Sequence, residues 1–305
     1  MRTPLLACST AAGVALAAAL VAPAAAAPAV ASPSAGGIAL RPAGTYASGV
    51  FAESAAEITS YDPSTQRLFV VNANSGAVDV LDVSRPGAPR RLFTLDTAGL
   101  PAADGSTIDE GAVVNSVDVH DGRLAVAVEA DPKTDRGWVA LFRTRGTAPF
   151  QSAVRVGAQP DMVSFSPDGR TVLSANEAEP ADDFSSDPPG SVSLVTVPRG
   201  YTPLEQSDVR TARFNAWDHG RTLPAGVRVF GPDVPAPRGH AGRVARNLEP
   251  EYLTVGPHGN RAYVTLQEAN AVGVLDLRTA TFTDLLPLGG QDYRRRGVEI
   301  GRAHV

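Results

Sequence analysis

Cysteine and lysine are almost absent from this chain, and both absences exclude classes of protein. Cys8 is the single cysteine, and it lies in an N-terminal segment that we predict is removed. The mature chain is therefore expected to have no disulfide, no thiolate metal site and no cysteine nucleophile. Lys133 is the only lysine, the formal net charge is -5 at pH 7, and no basic patch is indicated. Nucleic acid is not an expected partner.

Long apolar runs are also rare, and the single one lies at the N-terminus. A basic start at residues 1–3 precedes an apolar stretch over 5–21 and an Ala-rich stretch that reaches Ala31. This pattern predicts a signal peptide over residues 1–31 and a secreted chain, followed by a flexible Ala/Pro/Gly-rich lead over 32–46. A transmembrane helix is the alternative. No charged flank follows, however, and no later run approaches the roughly 20 apolar residues that a span needs.

Helical periodicity is missing as well, and β-branched runs separated by turn residues take its place. Residues 57–83 and 251–277 align without a gap, each with two strands joined by a polar turn and then a third strand. Looser copies of the same pattern begin near Val114 and Asp161. Asp-Gly turns and alternating apolar residues are typical of β-hairpins.

The spacing of these copies predicts the fold class. Outer fourth strands are expected near 90–95, 154–156 and 282–286, and four-stranded units that repeat every 40 to 50 residues or so are typical of β-propeller blades. A β-sandwich is the alternative, but its strands need not repeat at one period. The spacing doubles before the last copy, which indicates either an extra irregular blade or a long insertion near 200–247. We predict an all-β fold, a partial β-propeller over 47–293 with about four blades.

The last residues carry a separate signal. Residues 299–305 are the translation of a common sequencing-adapter oligonucleotide, which predicts a non-native read-through tail, with a natural tail as the alternative. In the first case the gene continues beyond this chain. Because propellers avoid open sheet edges, we then expect a fragment of a seven-bladed propeller.

Carboxylates and amides gather at one predicted end of the blades. The segment that enters an innermost strand and the turn between the second and third strands lie at the same end of a blade. Asn72, Asn74, Asn115, Glu129 and Asn176 occupy such positions, whereas the opposite turns carry ordinary turn residues. We predict an acidic rim around the channel mouth, with these candidate metal ligands: Glu57, Asp161, Glu177, Glu179, Glu249, Glu251 and Glu268.

Three interpretations of this acidic rim remain open. Oxygen ligands suit Ca²⁺, which takes six to eight of them. Like charges held together raise carboxyl pKa values, which would supply a general acid or base. Alternatively, the residues only cap strands and solvate loops. No EF-hand loop, GxSxG elbow, HExxH helix or phosphate-binding glycine loop is present, so no catalytic residue is assigned.

Several short motifs indicate a family. They are Val-Asn-Ala-Asn at 71–74, Pro-Asp-Met at 160–162, Asn-Glu-Ala-Glu-Pro at 176–180, Gly-Val-Arg-Val-Phe-Gly-Pro at 226–232, Glu-Pro-Glu-Tyr at 249–252 and Val-Thr-Leu-Gln-Glu-Ala-Asn at 264–270. Together they resemble the bacterial choice-of-anchor I domain proteins, which are similar to mesenchyme-specific cell surface glycoproteins and carry YVTN-like, WD40-like repeats. The resemblance implies a secreted or surface-attached propeller, often at the front of a longer anchored protein.

Two functions are compatible with this sequence. The first is a noncatalytic binding or adhesion module for an extracellular ligand, glycan or protein, with calcium as a brace. The second is a metal-dependent extracellular hydrolase of phosphate or carboxylate esters, because some members of the family are labelled alkaline phosphatase. The sequence shows no serine nucleophile or metal constellation that supports this label, so we favour the binding module.

Overall fold

Antiparallel sheets account for nearly all the regular structure. The computed structural model describes residues 39–51, 56–231, 239–290, 292 and 294, and within these residues sixteen strands form four sheets. The predicted signal peptide and the predicted read-through tail lie outside the described residues. Residues from Ala43 onward belong to one compact unit, which contains all four sheets.

Each sheet is one blade, with its four strands in chain order. The first two blades are β1 (Thr59–Asp62), β2 (Arg67–Asn72), β3 (Ala77–Asp82) and β4 (Arg90–Leu95), then β5 (Val113–His120), β6 (Arg123–Glu129), β7 (Arg136–Arg143) and β8 (Phe150–Ala158). The third and fourth are β9 (Pro160–Phe165), β10 (Thr171–Asn176), β11 (Ser191–Thr196) and β12 (Val209–Arg213), then β13 (Pro250–Val255), β14 (Arg261–Leu266), β15 (Ala271–Asp276) and β16 (Thr281–Pro287).

The first strands of the blades lie next to one another around a common centre. β1 packs against β5, β5 against β9, and β9 against β13. The aligned repeats over 57–83 and 251–277 form equivalent antiparallel ladders in the first and fourth blades. The predicted all-β architecture of four-stranded blades is therefore confirmed.

Strand alternation builds the core, which lies between successive blades. Successive side chains of a strand point to opposite faces of its sheet. In β10, for example, Val172 faces the second blade whereas Leu173 faces the fourth. Apolar layers therefore fill the space between each pair of neighbours, and Trp138 is fully buried between the first and second blades.

Side chains of the inner strands also tie one blade to the next. Asp118 of β5 accepts a hydrogen bond from the Ser60 hydroxyl of the first blade (3.2 Å) and another from the Phe165 amide of the third (2.8 Å). Ser60 in turn accepts a hydrogen bond from the Val119 amide at 2.9 Å. One carboxylate therefore joins three blades.

Replacing Asp118 with Ala should destabilise the protein by about 1.5 kcal/mol, because the Phe165 and Val119 amides lose a charged acceptor and the Ser60 hydroxyl loses a partner. Chemical denaturation of the two proteins measures the difference. Asp121→Asn, an exposed change at the following turn, is the control and should be nearly neutral. An Asp118→Ala protein as stable as the wild type would contradict this role.

The segment before the fourth blade contains an insertion with two short helices. The structure differs from the predicted loop over 200–247, since β12 lies within it and completes the third blade by pairing with β11. The α-helices are α1 (Asn215–Asp218) and α2 (Arg243–Asn247), and a 3-10 turn spans Gln206–Asp208 before β12. The Asp218 carboxylate accepts hydrogen bonds from the Gly242 and Val244 amides at 2.8 Å each, which joins α1 to the start of α2.

Candidate functional site

Carboxylates from all four blades come together at one end of the inner strands. Around Asp161 of β9, the charges of Glu251, Glu129, Glu179 and Glu57 are close enough to act on it, so residues of four blades share one region. We call this region the acidic mouth, and it comprises Glu57, Glu129, Asp161, Glu177, Glu179, Glu249, Glu251 and Glu268. It contains every predicted rim carboxylate.

Three carboxyl groups of the acidic mouth have strongly raised pKa values. Burial, followed by repulsion from Asp161 and other carboxylates, raises the pKa of Glu177 to about 8. Burial and the neighbouring Glu268 raise the pKa of Glu249 to about 7. The pKa of Asp161 is raised to about 6, again mainly by burial and then by the charge of Glu251. Some carboxyl groups of the acidic mouth therefore keep their protons at neutral pH, because ionising all of them together is unfavourable.

The pKa of Glu179 shifts in the opposite direction, because this carboxylate has a hydrogen-bond partner and an ion-pair partner. The Gln159 side-chain amide donates a hydrogen bond to Glu179 Oε2 at 2.9 Å and, together with Lys133, lowers the pKa of Glu179 against the effect of burial. Lys133 Nζ lies 3.1 Å from the same oxygen and 3.4 Å from Asp182 Oδ1. The only lysine of the chain is therefore placed at the edge of the acidic mouth, where it offsets part of the negative charge.

Gln159 fixes the loop that carries two of these carboxylates. Its backbone oxygen accepts a hydrogen bond from the Glu177 amide at 2.9 Å, and its Oε1 accepts one from the Glu179 amide at 2.8 Å. Gln159 and Ala178 both adopt left-handed backbone conformations, with φ of 45° and 62°. Such conformations are costly for residues with a Cβ and are concentrated at functional sites.

Gln159 is not among the site residues predicted from the sequence, although a repeated motif points to it. Gln159-Pro160-Asp161 occupies the same place at the start of the third blade as Glu249-Pro250-Glu251 at the start of the fourth. Both prolines pack against a glycine of the preceding blade. A Cβ added at Gly137 would lie 2.6 Å from Pro160 Cδ, and one at Gly190 would lie 2.7 Å from Pro250 Cδ.

Two of the predicted rim amides lie elsewhere. Asn176 is fully buried, and its side chain exchanges hydrogen bonds with the hydroxyls of Ser174, Ser191 and Ser193 inside the third blade. Asn72 is also buried, and its side chain donates a hydrogen bond to Asp79 at 3.0 Å. Each is the last residue of the second strand of its blade, and its side chain is buried within that blade. Both therefore stabilise blades instead of lining the mouth. Asn115 does reach the mouth, since it donates a hydrogen bond to Glu129 Oε2 at 3.0 Å.

The geometry of a metal site is not preformed in this region. Within the described part of the chain, no three His, Cys, Asp or Glu side chains are grouped closely enough to hold one metal ion. Glu57 and Glu268 are exposed, and the other carboxylates of the acidic mouth are half-buried. A cation that bound here would have to draw these side chains toward it.

One family model covers most of the chain. The Choice-of-anchor I domain model matches residues 57–300. The chain belongs to the choice-of-anchor I domain family. The match covers the four blades of this choice-of-anchor I protein together with the acidic mouth, and it confirms the resemblance drawn from the motifs. The domain implies a cell-surface or extracellular protein.

Solved structures resemble the choice-of-anchor I chain only distantly. Hydrazine synthase of Kuenenia stuttgartiensis has 13% identity and a TM-score of 0.46, and covers 79% of this chain and 52% of its own. A protein from Lactobacillus plantarum has 18% identity and a TM-score of 0.48, with coverage of 75% and 56%. The periplasmic gluconolactonase PpgL of Pseudomonas aeruginosa has 18% identity and a TM-score of 0.43, with coverage of 76% and 57%.

The chain therefore spans little more than half the length of these solved structures. No curated protein matches it significantly. None of the helices in the described residues is both long enough and apolar enough to cross a membrane.

Proposed function

We propose that this chain is the ligand-binding propeller of a cell-surface protein, and that its acidic mouth binds a cation or a positively charged group. The observation that carries the proposal is the convergence of carboxylates from four blades on one end of the inner strands. Burial and, after it, repulsion between carboxylates raise the pKa values of Asp161, Glu177 and Glu249, and a positive ligand would relieve the repulsion.

Calcium is the inorganic cation that we propose for this region. The donors are carboxylate oxygens supplemented by the Asn115 amide, and such hard oxygen ligands suit Ca²⁺. The described residues of the acidic mouth include no histidine, so zinc is a poorer match for them. Glu57 and Glu268 are exposed at the margin, where long side chains can move toward an ion. In this role calcium would hold neighbouring blades together.

Calcium should raise the melting temperature of the full chain. At a free calcium concentration about ten times the dissociation constant, the native state should gain about 1.4 kcal/mol. Thermal melts with calcium, with magnesium and with chelator measure this effect. The calcium-dependent shift should disappear in Glu251→Gln and persist in Asp121→Asn, which removes one negative charge from the opposite end of a blade. An identical melt with calcium and with chelator would contradict calcium binding.

A second candidate, an extracellular metal-dependent phosphoesterase, is favoured by a single observation. Carboxyl groups with pKa values of about 6, 7 and 8 belong to one acidic region, and such groups exchange protons near neutral pH. Assaying hydrolysis of a generic phosphate ester on the calcium-loaded sample distinguishes the two candidates. We expect no turnover, and calcium-dependent turnover that Glu177→Gln abolishes would instead establish the enzyme.

A further inference from the structure

A cavity of about 450 Å³ opens beside the acidic mouth, between the loop that follows β10 and the insertion before β13. We call it the side pocket, and its defining residues are Phe184, Asp187, Phe230, Arg246, Glu249 and Glu268. Its volume lies within the range of pockets that hold small ligands. It shares Glu249 and Glu268 with the acidic mouth but adds the rings of Phe184 and Phe230.

The two aromatic rings of the side pocket are unusually exposed. Phe184 is 79% exposed and Phe230 is 60% exposed, although large apolar side chains normally gain by burial. Exposed apolar groups rimmed by polar residues are typical of interaction sites. Both phenylalanines line one cavity, so a single ligand can cover both of them.

The backbone holds Phe184 in an unfavourable conformation. Its φ is 57°, in the left-handed region that bulky residues rarely adopt. Hydrogen bonds from the Phe184 amide to the Ala181 oxygen (2.7 Å) and from the Ala181 amide to the Ser186 oxygen (2.8 Å) close the turn that keeps it there. The turn therefore keeps the apolar ring of Phe184 exposed to water at the edge of the cavity. This exposure is unfavourable, and a bound ligand that covered the ring would offset its cost.

The insertion holds Phe230 in place from the other side. The Phe230 amide donates a hydrogen bond to Asn247 Oδ1 at 2.7 Å, and Asn247 Nδ2 donates one to the Arg243 oxygen at 3.0 Å. Arg243 also binds the Gly231 oxygen at 3.0 Å. Phe230 is thus attached to α2, the helix that leads directly into Glu249. The ring and the carboxylate are positioned by the same element.

The charges of the side pocket favour a cation. Asp187, Glu249 and Glu268 contribute three carboxylates, against the one guanidinium of Arg246. Arg246 acts on Asp187, where its charge opposes the effect of burial on the pKa of that carboxyl. Glu249 and Glu268, which accepts a hydrogen bond from the Gln267 side-chain amide at 3.5 Å, supply the remaining negative charge for an incoming positive group. Aromatic rings beside carboxylates are the surroundings in which organic ammonium groups bind, through charge attraction and cation–π contacts.

We propose that the side pocket binds an alkylammonium group on an apolar stem, either a free amine or the lysine side chain of an extracellular peptide. The stem would lie against Phe184 and Phe230, and the ammonium group would lie near Glu249 and Glu268. The inference rests in part on the proposed function, because the two sites share these carboxylates. Phe184 and Phe230 belong to the side pocket alone, which allows the two proposals to be tested separately.

Three probes of equal length test the chemistry on the full chain. Isothermal titration of pentylammonium, pentanol and pentanoate at about pH 8 and low salt should give a clear order of affinity, since only the first carries a positive charge. We expect pentylammonium to bind at least about tenfold more tightly than pentanol, and pentanoate not to bind, because of the carboxylates. Equal binding of pentylammonium and pentanol, or preferred binding of pentanoate, would overturn the proposal.

Two variants locate the binding. Phe184→Ala and Phe230→Ala should each weaken pentylammonium binding by about fivefold or more, since each removes one ring from the cavity. Phe51→Ala removes a 94% exposed phenylalanine outside the side pocket and should leave binding unchanged. Both pocket variants should keep the calcium-dependent shift in melting temperature. Binding that survives in both variants would place the amine in the acidic mouth and overturn the side pocket, whereas loss of the calcium effect alone would leave the side pocket intact.

The lysine source is tested with Nα-acetyl-lysine N-methylamide, which presents the same stem and ammonium group on a peptide backbone. We expect it to bind at least as tightly as pentylammonium, and its norleucine counterpart to bind more weakly, since that compound lacks the charge. If the lysine derivative fails while pentylammonium binds, a free amine is the ligand and the peptide source is excluded. If both fail, the proposal is overturned.

Discussion

Replacing Glu177 with Gln is expected to raise the melting temperature of this protein in alkaline buffer and to leave it unchanged below about pH 4.5. The reference pKa of this glutamate is 4.5, and burial with neighbouring carboxylates raises it to about 8 in the folded chain. Ionising Glu177 is therefore harder in the folded protein than in the unfolded one. Its contribution to stability is complete below about pH 4.5 and is lost as the pH rises through about 8.

The size of this effect follows from the shift. Each pKa unit corresponds to about 1.4 kcal/mol, and exposure of part of the side chain reduces the total, so we expect Glu177→Gln to gain about 3 kcal/mol at about pH 9. For a domain of this size the gain corresponds to about 6 °C or more in melting temperature. Asp161 and Glu249 have the same sign of shift, so the wild-type protein itself should lose stability between about pH 5 and 9.

Thermal melts across this pH range in the presence of chelator measure both effects. Asp121→Asn removes a negative charge from an exposed turn away from the acidic mouth, and it should retain the wild-type pH dependence. A wild-type melting temperature that rises from mildly acidic to alkaline pH would contradict the clustering of these carboxylates. A Glu177→Gln protein with an unchanged pH profile would show that folding does not raise the pKa of Glu177.

Replacing Gly190 with Ala should destabilise the fold and displace part of the site. The added Cβ would lie 2.7 Å from Pro250 Cδ and still closer to the Leu248 carbonyl oxygen, and these neighbours belong to the entry of the fourth blade. Backbone cannot yield as a flexible side chain can, so we expect a loss of about 3 kcal/mol. The displacement would move Glu249 and Glu251, which flank Pro250, and should weaken binding at both proposed sites.

Denaturant melts and the pentylammonium titration test this prediction together. Gly290→Ala is the matched control, because a Cβ at Gly290 would meet nothing within 4 Å. Gly137→Ala should repeat the effect at the third blade, where the added Cβ would lie 2.6 Å from Pro160 Cδ. A Gly190→Ala protein that melts with the wild type would show that the entry of the fourth blade can shift at little cost.

The acidic mouth was predictable in outline because blade geometry is regular. Once four strands alternate in direction, the entry to the first strand and the turn after the second must share one end. Glu57, Asp161 and Glu251 could therefore be grouped from their strand positions alone. The same rule misplaced Asn72 and Asn176, because the position of a residue in a strand does not show whether its side chain is buried within the blade or faces the mouth.

Other features depended on contacts that no local pattern records. Gln159 holds the Glu177 and Glu179 loop through hydrogen bonds across twenty residues of sequence, as in the bond between Gln159 Nε2 and Glu179 Oε2. The side pocket joins Phe184 and Phe230, which lie in two different irregular segments. Segments without periodicity give no strand register, and so the sequence offers no means of placing one against the other.

The sequence by itself determined the all-β class, the four repeated blades and the family, because strand alternation, turn residues and short motifs are local signals. Only the tertiary structure decided which carboxylates lose their charge, which amides are buried, and which aromatic rings border a cavity. Those properties depend on the distance between residues far apart in the chain and on how much water each group keeps. Packing of one blade against the next sets both.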